Sequence, residues 1–134
     1  MIPVFDTYAW VEYFRGTAKG EVVRDLLRSA EGYTPSIALA ELARKYIREG
    51  FPEDEVRRRL SFVEAKTMVV HMTSELALEA AKAYLELRRH ASKAGLRTPS
   101  LADAIVYATA KMLGGSLVTG DALFQGLPAV TYLR

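Results

Sequence analysis

The chain has 134 residues, 50% hydrophobic and 25% charged, with a net charge of +2; that mixture suits one globular domain, residues 1–134, and argues against a disordered chain. It contains no cysteine, which excludes disulfides, a thiolate nucleophile and a cysteine-built zinc centre. No apolar run approaches the roughly 18–20 residues that span a bilayer, and no basic-then-apolar leader is visible, so a cytoplasmic protein with no membrane association is expected.

In chain order, residues 2–6 (IPVFD) read as a short buried strand, followed by a helix over 7–14 that stops at Arg15-Gly16. Residues 19–30 place Val22, Val23, Leu26 and Leu27 on one helical face. The stretch 32–36 (GYTPS) reads as a short strand leading into an amphipathic helix over 37–49, closed by Gly50. Pro52-Glu53-Asp54-Glu55 opens another helix, with proline and acids where the helix dipole favours them. In it Arg57, Arg58 and Arg59 are expected to face solvent, opposite Val56, Leu60 and Val63.

A strand over 68–72 (MVVHM) includes His71, and a long helix over 74–95 carries His90 on its surface. A helix over 98–115 ends at Gly114-Gly115, and strands over 116–121 (SLVTGD) and 129–133 (AVTYL) complete the chain. Alternating strands and helices imply an α/β fold: a three-layer α/β/α sandwich around a parallel sheet. Ligands of such sheets bind outside the carboxyl ends of the strands.

Four acids from distant segments belong to that edge. Asp6 ends the first strand, and Asp121 follows the strand SLVT. Glu41 and Asp103 lie in the opening turns of helices that start there. Each has a plain reading as well. Asp6 suits a helix cap, Asp103 completes the capping-box pattern Ser100-Leu-Ala-Asp103, Asp121 suits a turn, and Glu41 a helix surface. Together they form a stronger pattern, because clustered carboxylates repel unless a cation intervenes. All-oxygen donors suit Mg²⁺ or Mn²⁺ better than zinc. His71 and His90 have no metal-ligand spacing.

VFDTYAW, SIALAELARK and SLADAIVYATAKMLGGSLVTGDALF together resemble the PIN domain, over essentially the whole chain. The ordered set Asp6, Glu41, Asp103, Asp121 matches that family's metal-binding acids, and Thr119 matches the hydroxyl residue preceding the last of them. The short format is similar to the toxin half of VapBC-type toxin–antitoxin pairs. The resemblance implies a Mg²⁺- or Mn²⁺-dependent endoribonuclease acting on an RNA substrate, a homodimer, and a cognate antitoxin. It departs in one place: the family often has a small hydroxyl residue two positions after the first Asp, and here Tyr8 stands there, beside Thr7.

Other readings stay open: an inert PIN-like module that binds RNA or protein, or an RNA-processing nuclease without an antitoxin. A haloacid-dehalogenase-type site needs a second Asp where Tyr8 stands, and a Rossmann site needs a glycine-rich turn that DTYAW does not supply. Arg44, Lys45, Arg48, Lys93 and Arg97 are candidates for RNA-backbone contact, against the plainer reading of a solvated helix face.

Overall fold

The computed structural model describes residues 1–134. Five strands, β1 (Pro3–Phe5), β2 (Tyr33–Pro35), β3 (Met68–Val70), β4 (Ser116–Thr119) and β5 (Val130–Tyr132), form one sheet in the order β3-β2-β1-β4-β5. Every pairing is parallel. The helices are α1 (Thr7–Arg15), α2 (Ala18–Ser29), α3 (Ser36–Arg48), α4 (Glu53–Lys66), α5 (Ser74–Ala94) and α6 (Leu101–Met112).

Within each strand every residue has a fixed side, because side chains alternate across a pleated strand. Val4 and Leu117 join a core built with α5 and α6. Their neighbours Phe5 and Val118 join a second core with α1, α3 and α4 around Trp10. One sheet with a core on each face is the expected sandwich. Trp10 is fully buried, and its indole N–H donates to Thr34 Oγ1 at 3.1 Å. Thr34 in turn meets Thr67 at 2.7 Å, so this buried polar chain is satisfied.

Several expectations are corrected. The strands are shorter than the apolar runs: β1 ends at Phe5, β3 at Val70 and β4 at Thr119, leaving Asp6, His71 and Asp121 outside the sheet. The helix of 98–115 is only Leu101–Met112, because Pro99 and the Ser100 capping box delay its start. His90 is half-buried rather than on the surface, and its Nε2 has no partner. Val22 is 46% exposed, since the buried stripe of α2 narrows to Gly20 and Val23. Arg59 does not face solvent. Its guanidinium lies 5.1, 4.7 and 4.6 Å from the ring centres of Phe14, Tyr46 and Phe51, a cation–π cage that leaves only Arg57 and Arg58 outside.

Candidate active site

β1 and β4 are direct neighbours, with Phe5 opposite Val118. One residue further along, Asp6 and Thr119 reach the carboxyl edge of the sheet side by side. Thr119 is fully buried, and its Oγ1 accepts the Asp121 N–H at 3.0 Å, which fixes the turn that carries Asp121. Asp6 is only 6% exposed and caps α1 by accepting the Ala9 N–H at 2.9 Å.

The capping readings of the acids are all correct, and they do not compete with a functional one. Asp103 accepts the Ser100 N–H at 2.7 Å and closes a full capping box. Asp121 accepts the Leu123 N–H at 2.9 Å at the head of a 3-10 turn, Ala122–Phe124. A cap hydrogen bond freezes a carboxylate's rotamer while spending only part of its lone-pair capacity. Helix and turn ends therefore serve here as mounts for the acids. Glu41 is held differently: the Thr7 hydroxyl donates to its Oε1 at 2.6 Å.

Electrostatics single out Asp6. Burial pushes its carboxyl from an ordinary 3.8 up to about 7, and the charges of Asp121 and Glu41 add to the rise. The Thr119 hydroxyl and the Ala9 amide pull it back, but less strongly. Asp103 goes the other way. Burial would raise it, but Arg97 and the Ser100 amide outweigh burial and hold it below the ordinary value.

At this edge the sequence offers Arg97 only as a candidate for RNA-backbone contact and gives no site role to Thr7, Tyr8 or Lys19. Arg97 bridges two of the acids, donating to Asp103 at 2.8 and 3.2 Å and to Asp121 at 2.6 Å. Its position shortly before the Asp103 helix was the available signal. Thr7 could have been found as the one hydroxyl adjoining Asp6 at the start of α1. Tyr8 covers the turn after β4: a methyl group on Gly120 would come within 2.4 Å of its ring, so only glycine lets the two pack. Lys19 Nζ meets the Tyr8 hydroxyl at 3.0 Å. The other basic candidates stay apart from the acids; Lys45, for example, pairs with Glu49.

The structure thus couples Asp6, Glu41 and Asp121 through charge, and Asp103 with Asp121 through Arg97. No three acids close on a common point as a ready ligand cage. The donor set nevertheless fits a hard divalent cation in kind: it is all oxygen, and it includes a buried carboxylate with no positive partner.

A parallel α/β sandwich with acids mounted at its carboxyl edge defines a class of acidic-site α/β proteins. The particular family follows from comparison: the family model "PIN domain" matches residues 4–129, and the chain belongs to that family. Among solved structures it is similar to VapBC2 from Rickettsia felis bound to a promoter DNA fragment (18% identity, all of both chains, TM-score 0.71). It is also similar to Mycobacterium tuberculosis VapC20, described as a sarcin–ricin loop cleaving toxin (21% identity, 98% of this chain and 99% of that one, TM-score 0.68). A third is a toxin–antitoxin complex from Klebsiella pneumoniae (21% identity, 98% of both chains, TM-score 0.67). At these identities the likeness establishes the fold. No curated protein matches the chain.

Proposed function

We propose that the chain is a divalent-cation-dependent endoribonuclease, the toxin of a toxin–antitoxin pair. What supports the reading is that Asp6 lies buried under the charges of Asp121 and Glu41, and that Arg97 links Asp121 to Asp103. A buried carboxylate raised to about 7 is costly, and such cost is typical of functional sites.

In this reading Asp6 and Asp103 are the principal ligands of Mg²⁺ or Mn²⁺, and Asp121 and Glu41 complete the site. When bound, the cation supplies Lewis-acid activation of water and neutralises charge developing on the scissile phosphate. The chain's own residues do the positioning. Thr119 locks the Asp121 turn, Thr7 holds Glu41, and the caps on α1 and α6 fix Asp6 and Asp103. No side chain need act as the nucleophile, which accords with the absence of cysteine.

An acidic site repels phosphate, so RNA needs basic groups at its rim, and Lys19 beside Tyr8 is placed to help. The partners proposed are RNA, a cognate antitoxin and a second copy of the chain, in the cytoplasm. Support for the antitoxin is that several similar structures are toxin–antitoxin complexes. For the homodimer it is the exposed Leu78, Leu85 and Met112 on α5 and α6. No helix is long and apolar enough to cross a membrane.

The test is cleavage of a pool of structured RNAs with Mn²⁺ or Mg²⁺, with an EDTA control and Asp103→Asn in parallel. Cleavage that requires both the cation and Asp103 is expected. Equal cleavage by the variant would assign the activity to a contaminant, and none by either would favour an inert binding module.

A further inference from the structure

Arg97 is the only basic side chain that forms an ion pair with any of the four acids. It lies in the connection between α5 and α6, and its guanidinium spans carboxylates from two separate elements, the head of α6 and the turn after β4. Asp6 and Glu41 have no basic partner; Asp6 is held by the Ala9 amide and the Thr119 hydroxyl, and Glu41 by the Thr7 hydroxyl. One arginine therefore supplies all the direct positive charge this edge contains.

What else holds Arg97 is slight. Its side chain is 48% exposed. Apart from the two aspartates it makes one long contact, 3.5 Å to the carbonyl of Thr98 beside it. No aromatic ring covers it, whereas Arg59 is caged by three. An arginine built in as permanent structure looks like Arg59. Arg97 is tethered only by the carboxylates that a divalent cation would also use.

We propose that Arg97 is an internal competitor for the cation: it neutralises Asp103 and Asp121 in the cation-free protein and must release them for the site to load. The inference rests on the proposed cation site. The competition raises the cation concentration needed for loading and keeps the empty site from unfolding its own edge by repulsion. A half-exposed pair of this kind has modest strength, so the competition shifts affinity severalfold rather than abolishing binding.

The test is Mn²⁺ titration by calorimetry of the wild type, Arg97→Gln and Asp6→Asn, together with melting temperatures of all three in EDTA. Arg97→Gln is expected to bind Mn²⁺ on the order of fivefold more tightly and to melt lower than wild type in EDTA, so that Mn²⁺ raises its melting temperature by more. If Arg97→Gln binds Mn²⁺ equally or more weakly while the wild type binds it and Asp6→Asn does not, the competition is wrong though the cation site stands. If neither wild type nor Arg97→Gln binds Mn²⁺, the cation site and the competition both fall.

Discussion

The Thr7 hydroxyl donates a hydrogen bond to Glu41 Oε1 across 2.6 Å, joining the first turn of α1 to the second turn of α3. The two residues come from helices that follow neighbouring strands, β1 and β2, so the bond ties together two sides of the acidic edge. One position on, the Tyr8 ring packs against Gly120 instead.

Replacing Thr7 by valine keeps the shape and removes the donor. Glu41 is then free to turn, and RNA cleavage is expected to fall by about tenfold or more, as it does when the supports of metal-site ligands are lost. Thr7→Ser should retain most of the rate. Cleavage rates of the two variants side by side decide it; a Thr7→Val enzyme as fast as wild type would leave Glu41 without need of its partner.

Asp6 makes stability depend on pH in an uncommon direction. Its carboxyl is ordinary, at 3.8, when unfolded and is lifted to about 7 by burial in the folded chain. Between those values the folded state holds a proton that the unfolded state has lost, so stability falls as pH rises from 4 towards 7 and levels off above. Asp6→Asn keeps a good cap for α1 but cannot ionise. In EDTA its melting temperature should be nearly flat over that range and should exceed that of the wild type at pH 8. A wild-type curve without this slope would show that Asp6 is not destabilised. Asp103, whose carboxyl is held low chiefly by Arg97, works oppositely and loses its contribution in acid.

A divalent cation that binds only the folded chain stabilises it by mass action, by about 2.7 kcal/mol at a hundred times its dissociation constant. Mn²⁺ should therefore raise the wild-type melting temperature, EDTA should reverse the rise, and Asp103→Asn should show little of it. Thermal melts in which Mn²⁺ shifts wild type and Asp103→Asn equally would place the ion elsewhere.

Arg59 is a packing residue that carries a charge. Arg59→Ala removes a guanidinium from among Phe14, Tyr46 and Phe51, and should cost roughly 1–2 kcal/mol. Arg57→Ala removes an exposed partner of Glu53 and should cost under about 0.5 kcal/mol. Urea unfolding of both variants measures the contrast, and equal losses would return Arg59 to the solvated face.

Much of this molecule is legible along the chain. Alternating apolar segments and helices determine a parallel sheet, and the parallel sheet determines which end the acids share. Ser100-Leu-Ala-Asp103 announces its own capping box, because hydrogen bonds of that kind are local. What the sequence could not determine is every choice between two environments of the same residue type. Arg59 and Arg57 are two positions apart on α4, and only the neighbouring helices α1 and α3 decide that one is caged and the other solvated. Arg97 and Lys93 precede the same helix, and only the placement of the turn after β4 decides that Arg97 meets two carboxylates. Local periodicity reports which face of a segment is apolar. Which charge meets which is set by contacts between residues far apart in the chain, and these exist only once the sheet has brought its strands side by side.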